Sequence, residues 1–183
     1  REVDLSIMGR PPKGLATRAE AFAAHPLVFV CPAGHPLLGA GPLPASQIAQ
    51  QPLIVREPGS GTRAAMEQYF AERQVEPRIA MDMSSNETIK QAVIAGMGIS
   101  FLSLHTVWLE LRSGLMAILD AEGTPVMRTW NLVCLQPKLL SPVAEACRQF
   151  MLEHGEEHLL ANDAPLLARL RRRGVGTDDP AER

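Results

Sequence analysis

Pro52-Leu53-Ile54-Val55-Arg56-Glu57-Pro58-Gly59-Ser60-Gly61-Thr62-Arg63 is the stretch that decides the fold. Leu53, Ile54 and Val55 form a short apolar run of strand type, the next residues form a turn rich in Pro, Gly and Ser, and a helical pattern begins near Thr62. Strand, tight turn and helix start is how α/β proteins present free backbone N–H groups to a small anion. Gly59 and Gly61 let the backbone approach a ligand, and Ser60 or Thr62 can cap the helix. A capped helix without any ligand has the same pattern, so both readings stay open on this segment alone. No Gly-Lys-Ser/Thr follows the glycines, so this is not a P-loop. Gly59-Ser60-Gly61 also lacks the Gly-x-Ser-x-Gly frame of a nucleophile elbow.

Outward from this segment the chain alternates. Strand patterns fall at 3–8, 27–31, 53–56, 78–83, 98–102, 115–119 and 127–135. Helical patterns fall at 45–50, 62–73, 86–95, 104–112 and 141–154, with a looser one at 156–172. Such alternation implies βαβ units and a mostly parallel sheet. Apolar runs such as Ile99, Phe101 and Leu102 suit strands covered on both faces. Pro32-Ala33-Gly34-His35-Pro36 and Glu122-Gly123-Thr124-Pro125 read as hinges, giving two chain crossings between two lobes and a cleft between them.

Ligands of open α/β sheets gather at the carboxyl ends of strands. Ser60, Gly61, Thr62 and Arg63 occupy one such end. A second is Ser84-Ser85-Asn86, where a side chain can cap a helix and a second positive helix end adds to the first. A third is Gly9-Arg10, where the guanidinium offers a planar fork to carboxylate or phosphate. Ser103 ends another strand and can face the cleft. Each has a plain alternative: an N-cap at Ser84 to Asn86, a surface arginine at Arg10, a strand-end serine bonded to backbone at Ser103.

The 183 residues, 46% hydrophobic and 21% charged, suit one large or two small domains with a real core. No apolar run reaches the roughly 18 residues of a bilayer span. A net charge of −2 argues against nucleic-acid binding by these residues themselves. Cys31, Cys134 and Cys147 are odd in number and widely spaced, the pattern of reduced thiols in the cytoplasm; Cys31 and Cys134 read as buried apolar residues that can be neighbours. The chain opens on Arg1 inside a strand pattern, as a fragment would.

His154-Gly155-Glu156-Glu157-His158 formally matches His-x-x-Glu-His, but Gly155 weakens the helix needed to hold a metal and no third ligand is evident. His25, His35 and His105 read as loop or strand-edge residues. No Ser/His/Asp set or carboxylate pair is placed by a motif, so no catalytic residue, metal or cofactor is expected. In the helix at 141–154, Val143, Ala146 and Phe150 form an apolar stripe that suits either a dimer seam or packing on its own sheet.

Three motifs together resemble the effector-binding domain of LysR-type transcriptional regulators. They are Val3-Asp4-Leu5-Ser6-Ile7, the run from His25 to Leu37, and the run from Asn86 to Ser100; the resemblance spans residues 1 to about 155. Arg56 to Arg63 and Met8 to Pro12 resemble the branch that controls the RuBisCO (Calvin-cycle) operon. The resemblance implies an α/β, periplasmic-binding-protein-like (type 2) fold of two α/β subdomains joined by two crossover segments. One would comprise 1–31 plus 133–160, lacking its first strand and helix; the other would comprise 32–132. The tail, 161–183, would be flexible. It further implies a DNA-binding winged helix-turn-helix upstream of residue 1, a homo-oligomer (dimer or tetramer), and a small anionic effector such as a phosphorylated metabolite or NADPH. The expected role is activation of carbon-fixation genes in the cytoplasm, with no membrane contact. A solute-binding protein of a transport system is the alternative with the same fold.

Overall fold

The computed structural model describes residues 3–12, 14–136 and 139–173. In chain order it contains β1 (Ser6–Met8), β2 (Thr17–Pro32), α1 (Ala45–Ala49), β3 (Leu53–Arg56), α2 (Gly61–Glu72), β4 (Ile79–Met83) and α3 (Asn86–Ile94). There follow β5 (Ile99–Ser103), α4 (Leu104–Arg112), β6 (Met116–Ile118), β7 (Val126–Leu135) and α5 (Pro142–Arg173). One seven-stranded sheet runs in the order β1-β7-β2-β5-β3-β4, with β6 also on β2.

The sheet is mixed, not mostly parallel. β3 pairs in parallel with β4 and β5, whereas β1–β7, β2–β5, β2–β6 and β2–β7 are antiparallel. The cause is β2. It is 16 residues long and begins ten residues before its apolar run, in Thr17-Arg18-Ala19-Glu20-Ala21-Phe22-Ala23-Ala24. Those alanines have little strand propensity; pairing with β7 along ten registered positions, with one shift between Ala21 and Ala23, supplies the stabilisation instead. The two chain crossings are therefore strands. The expected hinges at 32–36 and 122–125 are turns at the far end of this ribbon, beyond Pro32 and before Val126.

Where β2 leaves β7 it joins β5 and β6, and its apolar run is buried on both faces. Leu27, Phe29 and Cys31 point to a core shared with α1 and α2, centred on Phe29, Tyr69, Phe70 and Phe101. Val28 and Val30 point to a second core under α3 and α4. The alternation follows from the two-residue period of a strand. Cys31 is buried, which pushes its thiol up to about 12; it faces Ala117, while Cys134 pairs with Arg18 at the other end of β2. Both are buried and unpaired, and they are not neighbours.

α5 is continuous from Pro142 to Arg173, so the two helical patterns are one helix and residues 161–173 of the expected tail are helical. Gly155 does not break it. A Cβ there would meet Phe22 at 2.8 Å, so the glycine lets helix and ribbon touch. Val143 and Phe150 are exposed, so their stripe does not pack on the sheet. Residues 174–183 lie outside those described. No helix among the described residues is long and apolar enough to cross a membrane.

Candidate functional site

A cavity of about 520 Å³ opens between the end of β1, the β2/β7 ribbon and the start of α2. That volume lies in the range that takes small metabolites. Gly9, Arg10, Pro11 and Pro12 form one wall, Arg56 and the turn Gly59–Ser60–Gly61–Thr62 the opposite wall, and His25, Leu27, Arg128 and Trp130 the ribbon side. Gly9, Arg10, Ser60, Gly61 and Thr62 thus meet, although half the sequence lies between the ribbon's two strands.

The α2 wall is built to offer donors. β3 is buried and fixes where the turn begins; Gly59, at φ +93°, takes a backbone conformation that a side chain resists. Ser60 sits at the N-cap position, yet its hydroxyl makes no capping bond, and Thr62 lies inside the helix. The first intrahelical bond runs from the Ala64 N–H to the Ser60 carbonyl at 3.0 Å. The N–H groups of Gly61, Thr62 and Arg63 therefore lack main-chain partners among the described residues, and they carry the positive end of a 12-residue helix.

The charged lining is cationic, and no carboxylate lines the cavity among the described residues. Arg10 is exposed and Arg128 half-buried, and neither holds a carboxylate among the described residues. Arg56 is already engaged. Its guanidinium donates twice to Glu57, at 2.7 and 2.9 Å, and once to Asn86 Oδ1 at 2.8 Å. These bonds hold the Glu57 carboxyl below the usual carboxylate range.

Other residues singled out in the sequence lie elsewhere. Arg63 turns along α2 to Glu67 (2.8 Å), lies 3.6 Å from Asp82 and donates to the Arg56 carbonyl (3.2 Å). Arg63 does not line the cavity. Ser84 and Ser85 line a separate hollow with Glu57, Asp82 and Thr88, where Ser85 Oγ caps α3 by accepting from the Thr88 N–H at 3.4 Å. Asn86 reaches the cavity only through Arg56. Ser103 is buried at the β5–α4 junction, where its carbonyl accepts from Thr106 at 2.8 Å.

His25 corrects the reading of the histidines. It is in β2, only 5% exposed, and stacked on Trp130 with centroids 3.7 Å apart. Neither of its ring nitrogens has a partner among the described residues. Burial, then His105, then Arg128, push it down to about 3. His105 also leaves the loop category: it is in the first turn of α4, with Nε2 at 3.0 Å from the Ala24 carbonyl. His25, Arg128 and Trp130 were missed because the β2–β7 register was not foreseen. That register sets His25 opposite Arg128.

The chain matches the LysR substrate binding domain over residues 1–156. It is 47% identical over 157 residues to the HTH-type transcriptional regulator CfxR of Cupriavidus necator, covering 86% of this chain and 50% of that one. It is 47% identical over 150 residues to the RuBisCO operon transcriptional regulator of Allochromatium vinosum, covering 82% of this chain and 50% of that one. The chain thus spans about half the length of these curated relatives. The regulatory domain of CcmR from Synechocystis PCC6803, solved in complex with 2-PG, superposes with a TM-score of 0.77 at 36% identity, covering 83% of this chain and 73% of that one. The architecture is the periplasmic-binding-protein-like type 2 α/β fold. A family match over residues 1–156, the RuBisCO-operon relatives and the mixed sheet agree, and the chain belongs to the LysR substrate-binding domain family.

Proposed function

We propose that these residues form the effector-sensing part of a transcriptional regulator of carbon-fixation genes, and that the effector is a small phosphorylated acid bound in the cavity at α2. The observation that carries this is the coincidence of N–H groups without main-chain partners at the start of α2 with Arg10 and Arg128 in a cavity that no carboxylate lines among the described residues. The 2-PG bound by CcmR, read as 2-phosphoglycolate, has the matching chemistry. Phosphoenolpyruvate, sugar bisphosphates and NADPH share it in part and are the competitors to test.

In this reading DNA is contacted by a winged helix-turn-helix outside these 183 residues, consistent with relatives named as HTH-type regulators. The protein acts as a cytoplasmic homo-oligomer, and the exposed Val143 and Phe150 suit a subunit contact. Closure would bring residues 32–132 toward the lobe formed by 1–31 and 133–160. A ligand shifts such a balance only by its differential affinity for the two states. The reading needs no resident cofactor and no catalytic step.

Calorimetric titration with 2-phosphoglycolate tests it. Arg128→Ala is expected to weaken binding about 10- to 100-fold, the loss of one charge-assisted contact of about 1.5–3 kcal/mol. Thr62→Pro removes one N–H where proline is tolerated in a helix, and is expected to weaken binding about tenfold more than Thr62→Ala. Unchanged affinity in both Arg128→Ala and Thr62→Pro would refute the cradle.

A further inference from the structure

His25 is the one cavity residue whose state the anion-cradle reading leaves unexplained. It lines the cavity with its side chain 95% buried and both ring nitrogens unpartnered among the described residues. A neutral imidazole presents one donor and one acceptor, and buried polar atoms without partners cost stability. Their retention in a native fold calls for a function.

The ring is held rigidly. Trp130 covers one side at 3.7 Å and 17°, and the His105 ring lies 6.2 Å away at 20°. The Nδ1 edge looks toward Gly9, where an added Cβ would sit 3.7 Å from Nδ1. Gly9 itself lines the cavity, so no side chain separates that edge from the cavity wall. The charged and titratable groups facing the ring are Arg128 from β7 and His105 from α4, with Arg10 and Arg56 on the cavity's two other walls. None of these supports an imidazolium. A neutral ring is what the surroundings hold.

We propose that His25 contacts the ligand as a neutral imidazole, hydrogen-bonding a second polar group of the anion whose phosphate rests on α2 and the arginines. It would thereby select short acids carrying a carboxylate or hydroxyl beside the phosphate over phosphate alone. This rests on the anion-site reading given above. The selection is of the kind where a site with a fixed polar partner rejects the analogue that lacks the matching group.

The test is titration of the purified protein and of His25→Phe with 2-phosphoglycolate and with inorganic phosphate at pH 7.5. His25→Phe keeps a flat ring on Trp130 and removes both nitrogens. It is expected to lose at least tenfold in affinity for 2-phosphoglycolate while staying within twofold for inorganic phosphate, and to melt at a higher temperature than the parent. Titration in two buffers of different ionisation heat is expected to show no net proton uptake. An undiminished affinity for 2-phosphoglycolate, an equal loss for both probes, or uptake of one proton overturns the proposal. A parent protein that binds neither probe instead overturns the anion site itself. If His25→Phe does not fold, the ¹⁵N resonances of His25 decide: they shift on adding 2-phosphoglycolate, and unmoved resonances overturn the assignment.

Discussion

Lowering the pH from 6.5 to about 3 is expected to remove on the order of 4 kcal/mol of stability through His25 alone. The unfolded histidine takes up a proton near 6.5, whereas the folded one resists until about 3, first because it is buried and then because His105 and Arg128 repel the charge. Across that window the unfolded chain binds more protons than the folded one. Stability is therefore complete above 6.5 and drains away as the pH falls toward 3. Paired carboxylates such as Glu57 and Glu145 add their own acid sensitivity, because their arginine partners hold them ionised in the folded state. That part is common to the parent and to His25→Phe. Denaturant unfolding of both proteins at pH 7, 5 and 3.5 isolates the histidine: the difference between them should widen with acid, and a constant difference would show that the ring does not titrate as its burial dictates.

The second large effect is expected far from any charge. Gly98→Ala should destabilise the fold by about 3 kcal/mol or more. A Cβ at Gly98 would sit 2.3 Å from the Pro52 carbonyl oxygen and 3.3 Å from Ile54 Cγ1. The same carbonyl accepts the Ile99 N–H at 2.9 Å, just where β5 enters its register with β3. The obstacle is main chain at the head of two buried strands, so no side-chain rotation relieves it. Gly61→Ala is the control. Nothing lies within 4 Å of a Cβ there, and the position is the first of α2, so its cost should be near zero. A loss below about 1 kcal/mol for Gly98→Ala would mean the β3–β5 contact is looser than the geometry requires.

Residues whose neighbours are close in sequence were legible. β3 and α4 fall at the residues their patterns mark, and α2 starts one residue before its pattern does. Burial of a short apolar run, or one face of a helix, is a local property that the period alone reveals. The first half of β2 was not legible, because Ala19, Ala21, Ala23 and Ala24 are strand only through their pairing with β7. The site divides the same way. Ser60, Gly61 and Thr62 follow from a strand–turn–helix pattern within twelve residues. His25, Arg128 and Trp130 meet only across a register between segments a hundred residues apart. Arg63 and Arg56 show a further limit: composition identifies a guanidinium, but not that Glu67 or Glu57 already occupies it.

The long β2/β7 ribbon has a mechanical consequence. Ten registered positions, interrupted once between Ala21 and Ala23, resist shear, so its two strands do not slide past each other. They can only wind or unwind about the ribbon's length, like a torsion bar, with the irregularity at Ala21 to Ala23 as its compliant coil, since such irregularities sharpen local twist. A grip on His25 and Arg128 would load that bar near its Leu27 end, turning chemistry at the wall into torque.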